Sequence, residues 1–198
     1  GTTITNLTIN ATGKDSAFTL DANGLVDLTI NATAGLNLSA TTTDYATAAL
    51  DNVTIKGAGA VNLGVISTAT GLVSFNASAN TGGVTATVLS TGATSLNADG
   101  YVFSAGNDDV TLSASTVSTK VTLGAGDDIV TLAAGTTALT AVIDGGTGID
   151  TLAMVVANAN TVSSAGTSAF ENKISGFEKL SLTATAANAS IDLSLFDD

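Results

Sequence analysis

A chain of 198 residues with a formal charge of −12 and no Cys, His, Pro or Trp has no disulfides, thiolate nucleophiles, Cys-zinc sites or His-based triads. Its basic residues are five Lys (Lys14, Lys56, Lys120, Lys173 and Lys179) against seventeen acids, which excludes Arg-fork phosphate binding and argues against nucleic acid. Hard, oxygen-seeking cations stay admissible, and no apolar run approaches the roughly 18 residues of a membrane span, so membrane insertion is not expected.

The first element is Asn6-Leu7-Thr8-Ile9-Asn10, and it recurs as Asp27-Leu28-Thr29-Ile30-Asn31. Further copies follow at Asn52-Val53-Thr54-Ile55-Lys56, Leu72-Val73-Ser74-Phe75-Asn76 and Ala93-Thr94-Ser95-Leu96-Asn97. Their anchors Ile9, Ile30, Ile55, Phe75 and Leu96 lie 21, 25, 20 and 21 residues apart. Each copy alternates apolar and polar residues, as a strand with one buried face does, and each is followed by a turn of small residues. Between the copies, shorter strands are predicted at Phe18-Thr19-Leu20, Leu36-Asn37-Leu38, Val61-Asn62-Leu63 and 84–88.

Two strands and two turns in 20–25 residues make one coil of an all-β parallel β-solenoid, or β-roll. Stacked coils share a core that no single coil can bury, and about nine of them give a rod on the order of 40 Å long. An antiparallel sandwich is the competing all-β architecture, but a sandwich has no reason to repeat its strands at one period. Thr41 to Ala49 reads as a loop or short helical turn bulging from the stack. Val155 to Asn172 reads as a longer excursion, with a helical turn at 167–172. The Asn-x-Ser/Thr triplets at Asn6, Asn10, Asn31, Asn52 and Asn76 are attributed to composition rather than to glycosylation.

From residue 99 the turns become acidic. Ser104-Ala105-Gly106-Asn107-Asp108-Asp109-Val110 is followed by Gly124-Ala125-Gly126-Asp127-Asp128-Ile129-Val130 and then by Gly145-Gly146-Thr147-Gly148-Ile149-Asp150-Thr151-Leu152. These turns match G-G-x-G-x-D-x-U-x, where U is a large aliphatic residue. The third copy is complete. The second has Leu123 at the first Gly, and the first has Phe103 and Ser104 at the two leading Gly positions. The two Asp-to-Asp spacings, 20 and 22 residues, suggest one motif per coil, all on one side, with the opposite turns at 115–119 and 133–137 free of metal.

Over these 50 or so residues the chain resembles the RTX family, the hemolysin-type calcium-binding β-roll. The resemblance implies Ca²⁺ as cofactor, with Asp108, Asp128 and Asp150 as carboxylate ligands. Backbone oxygens around Ala105, Gly106, Asn107, Gly124, Gly126, Asp127, Gly146 and Gly148 complete the shell. Three stacked turns would hold two ions, with room for a third at an end. The organisation expected is metal-free coils at 1–98, calcium coils at 99–153, and a loop with terminal coils at 154–198, continuous with the same solenoid. The segment 174–182 contains Gly176-Phe177-Glu178-Lys179-Leu180, similar to segments that follow calcium repeats in surface-layer proteins and large secreted adhesins of Gram-negative bacteria. It reads as a strand with Phe177, Leu180 and Leu182 in the core, and 188–195 as one more strand.

These features imply a structural segment of a secreted bacterial surface-layer (S-layer) protein. It would fold and self-assemble into a lattice on meeting calcium outside the cell, and would contact cell-surface polysaccharide through the parent chain. The absence of an initiator Met and of a signal-peptide pattern at Gly1 fits a piece of a longer chain. A calcium-stabilised spacer of an RTX adhesin fits the same residues. A polysaccharide-active β-helix enzyme is disfavoured, because the Lys are scattered and Tyr45 and Tyr101 lie far apart in sequence.

Overall fold

In the computed structural model, which describes residues 4–20, 24–38, 50–66, 72–89, 99–164, 169–183 and 190–196, the chain winds as a parallel β-solenoid. In chain order the strands are β1 (Asn6–Ala11), β2 (Ser16–Ala17), β3 (Asp27–Ala32), β4 (Leu36–Asn37), β5 (Asn52–Gly57), β6 (Val61–Val65), β7 (Ser74–Asn80), β8 (Val84–Val88) and β9 (Tyr101–Val102). They continue as β10 (Asp109–Leu112), β11 (Thr116–Val117), β12 (Val121–Thr122), β13 (Ile129–Leu132), β14 (Ala138–Leu139), β15 (Ile143–Asp144), β16 (Thr151–Val155), β17 (Ile174–Ser175) and β18 (Lys179–Thr183). One eight-stranded sheet runs β1-β3-β5-β7-β9-β12-β15-β17, and the other runs β2-β4-β6-β8-β10-β13-β16-β18. Among the described residues eight stacked rungs thus stand in each sheet, against the nine or so coils that length suggested.

Stacking follows from alternation. Leu7 pairs with Leu28 and Leu28 with Val53, while Ile9 pairs with Ile30 and Ile30 with Ile55. Like residues therefore form continuous rows along the rod. A one-residue slip would turn every one of these rows outward, so the register is strongly specified. The intervening Asn side chains pair between coils: Asn31 Nδ2 donates to Asn10 Oδ1 at 2.8 Å and Asn52 Nδ2 to Asp27 Oδ1 at 2.7 Å.

The structure corrects several details. Phe75 pairs with Val53 rather than standing over Ile55, and a register shift between Thr54 and Lys56 absorbs the difference. The next rung is Tyr101, paired with Phe75. The Leu96 copy lies outside the described residues, as does Thr41 to Ala49. The first short strand is Ser16–Ala17, two residues before the predicted one, and Phe18, just after this edge strand of its sheet, is 42% exposed. In the coils between 109 and 144 a third side appears, where β11 and β14 pair in parallel, so each of these coils has three strands instead of two.

The excursion after β16 opens with a helix, α1 (Val156–Ser164), earlier than the expected turn at 167–172; only a short 3-10 turn occupies Glu171–Lys173. Helix α1 docks through the buried Asn158. Its Nδ2 donates to the Ala133 carbonyl at 2.8 Å and its Oδ1 accepts from Gly135 N–H at 3.0 Å. The segment 174–182 is two strands rather than one, with Gly176-Phe177-Glu178 turning between β17 and β18. The expected last strand is a 3-10 turn at Leu193–Leu195, where the Asp192 side chain accepts from Ser194 N–H.

Candidate metal centre

Parallel pairing of Thr85 with Asp109, Asp109 with Ile129, Ile129 with Thr151 and Thr151 with Lys179 fixes what precedes each of them. Val84, Asp108, Asp128, Asp150 and Glu178 therefore occupy one position on five successive rungs. The aliphatic residues two places after each Asp, namely Val110, Val130 and Leu152, are 0%, 0% and 1% exposed. They anchor each turn to the core as the motif requires.

The carboxylates form a ladder. Asp108 Oδ1 accepts from Val84 N–H at 2.6 Å, Asp128 Oδ1 from Asp108 N–H at 2.7 Å, and Asp150 Oδ1 from Asp128 N–H at 2.8 Å. Glu178 Oε2 accepts from Asp150 N–H at 2.7 Å. Each acid thus satisfies the orphan donor of the coil before it. Glu178 was missed from the sequence as a member of this row. It lies 28 residues after Asp150 because the α1 excursion lengthens that coil, so only the Gly-Phe-Glu turn itself could have signalled it.

The three Asp differ in their second oxygen. Asp108 is satisfied: Oδ2 accepts from Ser104 N–H at 2.9 Å and Oδ1 also accepts from Ser104 Oγ at 2.7 Å. Asp128 Oδ2 and Asp150 Oδ2 are buried with no hydrogen-bond partner. Burial pushes the Asp108 carboxyl up to about 6 against hydrogen bonds from Ser104 and Val84. Burial also pushes Asp128 up to about 7, with the Asp108, Asp150 and Asp127 carboxylates adding to the rise. Asp150 is raised by burial and then by Glu178, Asp127 and Asp144.

Glycine lets the turns approach. Gly124 and Gly146 have φ of +113° and +98°, and a Cβ on either would collide with the carbonyl of the turn stacked beneath, that of Ser104 or of Gly124. Thr147 N–H bonds the Gly124 carbonyl at 2.9 Å and Gly126 N–H bonds the Thr147 carbonyl at 3.0 Å, while a Cβ at Gly148 would strike the Gly126 carbonyl. Gly106 accepts from Ser104 Oγ at 3.1 Å through its carbonyl, and Ala105 N–H bonds the Asn80 carbonyl at 2.9 Å. Asn107 and Asp127 sit outside the buried row. They make an exposed second ladder, Asn107 Oδ1 accepting from Asp127 N–H and Asp127 Oδ1 from Ile149 N–H, both at 3.0 Å.

The turn beneath the acidic ones solves the same stacking problem without charge. Asn80, fully buried, donates through Nδ2 to the carbonyls of Gly57 and Gly59, each at 2.9 Å. Its Oδ1 accepts from Gly82 and Gly83 N–H, each at 3.1 Å.

A hard divalent cation fits the donors present at Asp128 and Asp150, each of which keeps one buried carboxylate oxygen, Oδ2, without a hydrogen-bond donor. Among the described residues no three acidic side chains converge on one point. A cation here would be held by one or two carboxylates together with carbonyls and water. Fold and site together define a parallel β-solenoid carrying a one-sided carboxylate ladder. No family model, curated protein or solved structure matches the chain.

Proposed function

We propose that this chain is a structural segment of an exported bacterial surface-layer protein, RTX-like in its acidic turns, which folds and self-associates on binding Ca²⁺. The observation that carries the reading is the stack of buried carboxylates in which Asp128 and Asp150 each leave one oxygen unpartnered. Without a cation, buried like charges oppose the stacking of those coils; with Ca²⁺ bound, folding and binding become one equilibrium. Low calcium inside a cell would keep the acidic coils open for export, and millimolar calcium outside would close them.

The net charge of −12 bears on assembly. Two copies repel one another until cations bind, so calcium both folds the turns and lowers the barrier to association. Sedimentation of the chain across a calcium titration tests this. The expected result is a monomer in chelator that associates as calcium reaches millimolar levels, with sodium at equal ionic strength having little effect. A monomer at every calcium concentration would replace the lattice role with that of a spacer within a secreted adhesin.

A further inference from the structure

We infer that the cation positions of this solenoid lie one coil further along than the repeat motif implies: one between Asp128 and Asp150, and one between Asp150 and Glu178, with Asp108 left out. The inference rests on the calcium reading above and assigns its ligands.

Two observations separate the ends of the ladder. At its start, Ser104 stands where the later turns have Gly124 and Gly146, and its N–H and Oγ supply donors to both oxygens of Asp108. That carboxylate already has the partners a cation would otherwise provide. At the other end, Asp150 is fully buried, its Oδ2 has no partner, and a fourth carboxylate follows it. A Cβ on Gly145 would collide with the Gly176 carbonyl oxygen and come within 3.0 Å of Asp150 Oδ2. The absence of a side chain at Gly145 therefore lets the Gly176 carbonyl oxygen and the unpartnered Asp150 Oδ2 both lie close against this turn. Glu178 reaches the same rung from the Gly176-Phe177-Glu178 turn, which carries no repeat motif. Asp144, whose Oδ1 accepts from Ser175 Oγ at 3.2 Å, adds a further negative charge to this end. Carboxylate and carbonyl oxygens gathered at one turn suit Ca²⁺, which takes six to eight oxygen ligands and fills the remainder with water.

Calorimetric titration of the whole chain with CaCl₂ tests the assignment, comparing the unaltered protein with Glu178→Gln and Asp108→Asn. Gln at 178 keeps an acceptor for Asp150 N–H and removes only the charge, at an exposed site where folding is not at risk. The expected result is two ions for the unaltered protein and for Asp108→Asn. For Glu178→Gln, one ion should be lost or bound at least about tenfold more weakly, a change of about 1.4 kcal/mol. If Asp108→Asn fails to fold by circular dichroism, the Glu178→Gln comparison decides alone. Two ions of unchanged affinity in Glu178→Gln, or loss of one in a folded Asp108→Asn, would overturn the assignment while leaving calcium binding intact. No calcium binding by the unaltered protein would overturn both.

Discussion

At the residue scale, burial raises the folded-state pKa of Asp108 to about 6 and that of Asp128 to about 7, above the roughly 4 of an unfolded chain. The folded state therefore binds more protons than the unfolded one between those values. The associated stability is fully present below about pH 4 and is lost as pH rises through about 6 to 7. The carboxyls sit on adjacent rungs and titrate as a coupled set. In chelator, the melting temperature should fall between pH 4 and pH 7.5; in saturating calcium, that fall should flatten, because the cation takes the place of the proton. A flat profile in chelator would contradict the buried ladder. Substitution separates charge from hydrogen bonding. Asp150→Asn keeps an acceptor for Asp128 N–H and removes an unpaired buried charge. At pH 8 in chelator it should stabilise the fold by about 1–3 kcal/mol, since stranding a charge costs more than stranding an amide. The same variant should lose most of the stabilisation that calcium gives the unaltered protein. Thermal melts with and without calcium read both effects.

At the scale of the turn, what matters is how close one coil's backbone lies to the next. Gly146 combines φ of +98° with a carbonyl where its Cβ would be, whereas Gly135 has φ of +90° and open space around it. Gly135→Ala should therefore cost only the left-handed strain, about 1–2 kcal/mol. Gly146→Ala adds a backbone collision that the stack relieves only by parting the coils, so its loss should be at least twice as large, and calcium affinity should fall with it. Chemical denaturation of the two variants makes the comparison. Helix α1 obeys a related rule on the third side of the coil. Asn158 supplies the pairing that a further strand would have given to Ala133 and Gly135.

For the whole molecule, seventeen acids against five Lys make the charge balance a property of the rod and not of one turn. Salt screens over about 8 Å at 0.15 M, and it screens buried groups least. Site binding at a hundredfold excess over Kd gives about 2.7 kcal/mol per ion. Calcium should thus raise the melting temperature of residues 99–164 far more than sodium chloride at matched ionic strength. Hydrogen exchange should place the protection there and leave β1 to β8, whose turns are held by Asn80 and small residues, nearly unchanged. Equal protection of both halves by calcium, or by sodium, would argue against metal-linked folding of the acidic coils.

The repeat of Leu28 and Ile30 at one period, with turns of small residues between, determined the solenoid before any coordinates. Period-two burial in a stacked coil leaves the same face inward on every rung, and that pattern is local. The motif likewise pointed to Asp108, Asp128 and Asp150 sharing one side, because spacings of 20 and 22 residues are each close to one coil and bring like positions together. Tertiary structure alone decided where lengths were unequal: the shift that sets Phe75 on Val53, the third strand at β11 and β14, and the 28-residue coil that carries Glu178 to the rung after Asp150. It alone also distinguished three carboxylates that look alike in sequence. The Ser104 backbone N–H reaches Asp108 Oδ2, whereas Oδ2 of Asp128 and of Asp150 meets no donor, although glycine four places back carries the same N–H; the local path of each turn, and not the residue type, makes that difference.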